Sequence, residues 1–231
     1  MPGGAAAIRQ PWRMTAAYLD TPDPGATDTA TTASGAMDIG AISLDVARRN
    51  AARWDAVVTM ARRGINAPLT SSAGRLFDAA AALLGVRDDI SYEGQAAIEL
   101  EQLADPAEPS AYRATIDQPA GQYPFRASGA DLIHAIVEDL AAGVPGEIIA
   151  ARFHNGLATL IVDGCVLLRD RHALNTVALS GGVFQNLLLL GRTVTRLEAN
   201  GFTVLTHSRV PGNDGGISLG QAVIAAAQDH P

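Results

Sequence analysis

The chain has 231 residues, 48% of them hydrophobic and 18% charged, which supplies one core, or one core plus a small subdomain, and excludes a disordered chain. Its 17 basic residues are all arginines, scattered among 24 acidic ones, so a net charge of −7 leaves no basic surface of the kind that neutralises nucleic-acid phosphates. The single cysteine, Cys165, can form no internal disulfide, and no stretch has the pattern of a signal peptide or the length of a membrane span. The expectation is a cytoplasmic protein that binds neither nucleic acid nor membrane.

Residues 8–19 predict an amphipathic helix with Pro11 in its first turn. Residues 21–40, rich in Thr, Ala, Gly, Asp and Pro, read as a flexible loop. A helix is predicted over 44–63 and broken by Gly64. Thr70, Ser71 and Ser72 offer cap oxygens to another, with Leu76, Phe77, Ala80, Leu83 and Leu84 on its apolar face and Gly85 at its end. A helix over 92–103 precedes two short strand candidates, 112–116 and 123–126, separated by Pro119 and Gly121 as in a hairpin. Ser128 and Asp131 form a capping-box-like start for a helix carrying Leu132, Ile133, Ile136, Val137 and Leu140. A long helix covers 145–168. The last quarter reads as strand 176–179, turn, helix 186–197, strand 202–206, loop and helix 217–228, so the two strands should be parallel and joined by a right-handed crossover.

Ligands of open parallel sheets bind beyond the carboxyl ends of the strands. Two glycine-bearing loops leave such ends here. In the first, Gly181 and Gly182 let backbone approach a ligand, the helix start behind them favours phosphate, and Gln185 and Asn186 can hydrogen-bond a base or sugar; an ordinary strand-to-helix turn would look the same. In the second, Asp214 can ligate a metal ion that bridges phosphates, or Asn213 and Asp214 can simply cap the last helix. A third element places Gly74 and Asp78 four residues apart on one helix face, opposite Leu76, Ala80 and Leu83. That face suits a sugar whose hydroxyls need an acceptor, while a solvated aspartate is the ordinary alternative. Among His134, His154, His172, His207 and His230 no two have helical metal-pair spacing; His154 beside Phe153 reads as structural, and Cys165 as a small buried thiol.

Together the stretches TSSAGRLFDAAAALLG (70–85), SYEGQAAIELE (91–101), ARFHNGLA (151–158), ALSGGVFQN (178–186) and NDGGISLGQ (213–221), with GGAAAIRQPWRMTAAYL (3–19), resemble the hydrogenase-maturation carbamoyltransferase family HypF over nearly the whole chain. The resemblance implies an α/β fold, the second lobe of an actin-like ATPase with a parallel βαβ core and extra helices. Residues 1–20 would lead in from a first lobe, 21–41 form a flexible loop, and 42–231 the nucleotide-binding lobe. It implies transfer of a carbamoyl group from carbamoyl-adenylate, made from carbamoyl phosphate and ATP, to the C-terminal cysteine of a HypE-like acceptor. Gly181, Gly182 and Asn186 then look like nucleotide contacts and Gly74 and Asp78 like sugar contacts, facing each other across a cleft. Asp214 looks like one ligand of a divalent metal, zinc, iron or magnesium.

The family's acylphosphatase-like, zinc-finger and adenylate-forming parts, and its histidine-rich metal motif, have no counterpart in these residues. The expectation is therefore a fragment, a split subunit or a chain with a mispredicted start, which needs the remainder of a HypF-type enzyme and is inactive alone. The alternatives are a relative of the tRNA threonylcarbamoyl transferases and a non-catalytic remnant. Tyr92, Glu93 and Gln95 fit the family block without a physical role in sequence.

Overall fold

A computed structural model describes residues 1–20, 44–118 and 125–229. The loop expected at 21–41 lies outside the described residues, as do Pro119, Gly121 and Tyr123 of the expected hairpin. The chain divides into two compact units, Met1–Leu160 and Ile161–Pro231, and the division falls inside one helix within the 42–231 stretch expected as a single lobe. No helix among the described residues is long and apolar enough to cross a membrane.

The first unit is mostly helical, with one pair of short strands. Helices α1 (Ala6–Arg9) and α2 (Trp12–Leu19) open it, with Pro11 just before α2 and Ala7, Trp12 and Ala16 buried. The expected helix over 44–63 is two, α3 (Asp45–Arg49) and α4 (Ala51–Arg63), interrupted at Asn50; Gly64, in the left-handed conformation (φ 65°), ends the second as expected. Trp54 of α4 lies 6.0 Å from Trp12, ring on ring.

Helix α5 (Ala73–Leu83) is the centre of this unit, and α2, α3, α6 and α7 pack on it. Its residues 75–83 are all buried, so the apolar stripe read from the sequence becomes a helix enclosed on every side. Its end is closed by a Schellman arrangement: Gly85 (φ 72°) donates to the Ala82 carbonyl and Val86 to that of Ala81. Arg49, held by Asp88 at 2.7 Å, donates to the Ala82 carbonyl as well, which suits the negative end of a helix.

Helix α6 (Gln95–Leu103) follows. Strands β1 (Ile116–Asp117) and β2 (Arg126–Ala127) pair antiparallel, so the expected hairpin exists, but its paired residues lie at or past the end of each expected segment. Helix α7 (Gly129–Ala141) starts at Ser128, whose side chain accepts from the Asp131 N–H as the capping box predicts. Helix α8 (Gly146–His172) is the longest and carries the division between units. The segment before β1 is strapped to this part of the unit: the Tyr112 hydroxyl donates to Asp139, Arg152 pairs with Asp139 at 2.8 Å, and Asn155 donates to the carbonyls of Glu108 and Ser110.

The second unit has the expected βαβα order. Strand β3 (Thr176–Ala178), helix α9 (Leu187–Ala199), strand β4 (Thr203–Leu205) and helix α10 (Ile217–Asp229) follow the end of α8. The strands are parallel, with Val177 opposite Val204. Val162, Leu179, Leu197 and Phe202 form the core, against which Cys165, Val166 and Phe184 pack. Burial pushes the Cys165 thiol pKa up, which keeps it a protonated packing residue.

Candidate functional site

The register of β3 and β4 fixes where their loops start. Leu179 donates to the Leu205 carbonyl just past the last ladder pair, and both chains then turn at the same rim. At the first turn Gly181 takes φ 106°, a conformation that L side chains rarely adopt, and a 3₁₀ turn covers Gly182–Gln185. At the second, a 3₁₀ turn covers Asp214–Gly216. The Gly181 N–H donates to the Gly212 carbonyl at 2.6 Å, and a Cβ on Gly182 would lie 3.9 Å from that of Asn213. The two glycine turns therefore open side by side, as the sequence requires of a ligand-binding rim.

The turn differs from the sequence expectation in where its donors go. The Gly181 N–H is engaged by Gly212, that of Phe184 by the Gly181 carbonyl, that of Asn186 by the Val183 carbonyl and that of Leu189 by the Asn186 side chain at 2.8 Å. Those amides serve the turn and the helix cap, which removes them from the array of phosphate donors expected at this helix start. Asn186 is 8% exposed and is the N-cap of α9. What the turn offers outward is bare glycine backbone: nothing lies within 4 Å of a Cβ placed on Gly181, and only the Asn213 and Gln185 side chains, at 3.9 Å, come that near one placed on Gly182.

In the second turn the cap expected of Asn213 and Asp214 belongs to Asn213, whose side chain accepts from the Gly215 N–H. Asp214 is exposed. Among the described residues no three His, Cys, Asp or Glu side chains gather where they could hold a metal ion. One exposed carboxylate is too few ligands for a divalent cation, so these residues do not make a metal centre by themselves.

In the first unit, Asp78 is neither solvated nor open. It is 1% exposed and pairs with Arg75, one turn earlier, at 2.7 Å. Burial pushes its carboxyl up to about 7; Arg75 pulls it back and the Glu93 charge pushes it further up. Gly74, at the start of the same helix, has Ser72 Oγ 3.5 Å from where its Cβ would be. Gln95 gains a role absent from the sequence reading: it accepts from the Ser91 N–H and donates to Glu99. His154 is fully buried, its Nδ1 2.7 Å from the Ala150 carbonyl and its ring edge-on to Phe77 and Phe153, which is a structural placement.

Two partners escaped the sequence reading. Arg75 is the ion-pair mate of Asp78, a pairing that the three-residue helical spacing signals. His207 lies 2.9 Å from Ser180 Oγ, and the signal was that each stands just past the end of a parallel strand.

The sequence matches the family described as carbamoyltransferase, Kae1-like domain, second subdomain, over residues 1–221. Carbamoyltransferase HypF of Rhodobacter capsulatus is 38% identical over 227 residues, covering 98% of this chain and 27% of the relative. The carbamoyltransferase HypF homolog of Cupriavidus necator is 37% identical over 236 residues, covering 99% of this chain and 55% of the relative. Among solved structures, full-length HypF in a phosphate- and nucleotide-bound form matches with a TM-score of 0.83 at 34% identity, over all of this chain and 28% of that one. The parallel β3–β4 rim and these likenesses define the class, the second subdomain of a Kae1-like domain. Within that class the chain belongs to the HypF carbamoyltransferase family. It spans from about a quarter to about half the length of these relatives.

Proposed function

We propose that this chain is the nucleotide-binding part of a HypF-type carbamoyltransferase. The observation that carries this reading is the pairing of the two glycine turns at one rim of the parallel sheet, tied by the Gly181 N–H to the Gly212 carbonyl. Because several amides of the first turn are engaged internally, its exposed glycine backbone suits the flat adenosine of ATP or carbamoyl-adenylate better than a phosphate. Gly181, Gly182 and Asn186 are the nucleotide residues in this reading, Asn186 by fixing the start of α9. Gly74 and Asp78 are the sugar candidates on the family likeness. Asp78 is enclosed in α5 with Arg75, so it meets a sugar only where that ion pair opens.

In the full reaction, a thiolate sulfur at the C-terminus of a HypE-like acceptor attacks the carbamoyl carbon. The C–S bond forms, the bond from that carbon to the adenylate oxygen breaks, and AMP leaves. The attacking thiol, the other ligands of an Asp214-bound metal and the groups that make carbamoyl-adenylate would come from outside these residues. Identity of 38% and 37% to HypF proteins, against 27% to a tRNA N6-adenosine threonylcarbamoyltransferase of Prochlorococcus marinus, disfavours a tRNA-modifying role.

Gly182→Val tests the reading. The position is exposed, and an added Cβ meets only ordinary contacts, so the fold should be kept while bulk is added to the rim. Equilibrium dialysis should find ATP bound by the unaltered chain and at least roughly tenfold weaker binding by the variant, equivalent to about 1.4 kcal/mol. Equal binding by both removes the rim as the nucleotide site.

A further inference from the structure

We propose that Ser180 and His207 are a positioning pair that clasps the second glycine turn to the first and sets the width of the rim between them; the ligand of that rim rests on the nucleotide reading above. The pair follows from the sheet register. Ala178 is opposite Leu205 as the last ladder pair, and Ser180 and His207 each lie two positions further on. Two steps along parallel strands return side chains to the same face, so the hydroxyl and the imidazole meet as neighbours, His207 Nε2 2.9 Å from Ser180 Oγ.

The bond reaches into the second turn. Ser180 Oγ lies 3.5 Å from the Gly212 carbonyl, which also accepts the Gly181 N–H at 2.6 Å. One proton arrangement satisfies the whole set: Nε2–H of His207 donates to Ser180, whose hydroxyl points at the Gly212 oxygen beside the Gly181 N–H. The imidazole also lies against Gly212, where a Cβ would be 3.2 Å from His207 Cδ2, so the ring limits how closely the turn approaches. Asp214 stands two residues beyond Gly212, and the Asn213 side chain reaches across it to accept from the Gly215 N–H. Both members of the pair are exposed. A hydrogen bond between exposed side chains adds little to folding stability, so its consequence is geometric.

The test uses the full chain with His207→Phe, which keeps a ring against Gly212 and loses the polar nitrogen, together with Ser180→Ala, the double variant and Ser180→Thr. The Gly181 amide, followed by NMR hydrogen exchange, should exchange roughly fivefold faster in both single variants, no faster in the double, and at the original rate in Ser180→Thr, as expected for loss of one shared hydrogen bond. ATP affinity should fall in the same pattern by a similar factor, with the melting temperature unchanged. Unaltered Gly181 exchange in both single variants overturns the clasp, as do losses that multiply in the double variant or that track a fall in melting temperature. Variants that exchange faster but bind ATP as the unaltered chain does overturn its role at the rim. If the unaltered chain binds no ATP while Gly181 exchange responds as described, the clasp stands and the nucleotide reading fails.

Discussion

Asp78 is the residue at which burial and charge are in tension. Its carboxyl is held near 7 by burial, above the ordinary value of 3.8, with Arg75 only partly compensating. Between those two values the folded chain binds more protons than the unfolded one, so this group's stabilising contribution is full at low pH and is lost as pH rises through about 7. At about 1.4 kcal/mol per pH unit the loss is of the order of a few kcal/mol. The expected outcome is that Asp78→Asn gains on the original chain between pH 5 and pH 8: the difference in melting temperature, variant minus original, becomes more positive at the higher pH. A constant difference across that range would show that Asp78 ionises without cost in the fold. The glycine turns and Asp214 were legible in the sequence because their residue types and order carry the signal. The enclosure of Asp78 was not, because a carboxylate on a helical wheel looks solvated until a neighbouring helix covers it.

At the scale of elements, the sequence placed most helices well because caps and periodicity are local. Ser128 with Asp131, Gly64 and Gly85 act where they stand. The break at Asn50 and the enclosure of α5 depend on neighbours, and the periodic pattern carried neither. The packing of α8 supplies a test. A Cβ on Gly156 would sit 2.8 Å from the Tyr112 carbonyl oxygen and 3.0 Å from Leu132 Cδ2, so the strapped segment before β1 requires glycine there. Gly156→Ala should destabilise the chain by about 1–3 kcal/mol through overpacking, despite alanine's better helix propensity. Urea titration measures it, and a stability equal to or above the original would mean that the strap yields freely.

At the scale of the molecule, the two units differ in what holds them together. The first buries Trp12, Phe77 and Phe153 among many aliphatic residues, whereas the large apolar residues buried in the second, among those described, are Val162, Leu179, Leu189, Leu197 and Phe202, and α10 buries none. Smaller cores open more readily. Both tryptophans, Trp12 and Trp54, lie in the first unit, so their fluorescence reports that unit alone, while far-ultraviolet circular dichroism reports both. On urea titration the dichroism should begin to fall at a lower concentration than the fluorescence. Coincident curves would mean one cooperative unit.

The sequence by itself determined the βαβα order of the last quarter, the family, and the glycines and carboxylate of the candidate rim, because strand period, caps and turn residues act over a few neighbouring positions. Only the tertiary structure decided that Asp78 is enclosed with Arg75, that amides of the first turn are engaged internally, and that Ser180 meets His207. Those facts depend on strand register and on which helix covers which, relations set between segments distant in the chain that no local pattern encodes.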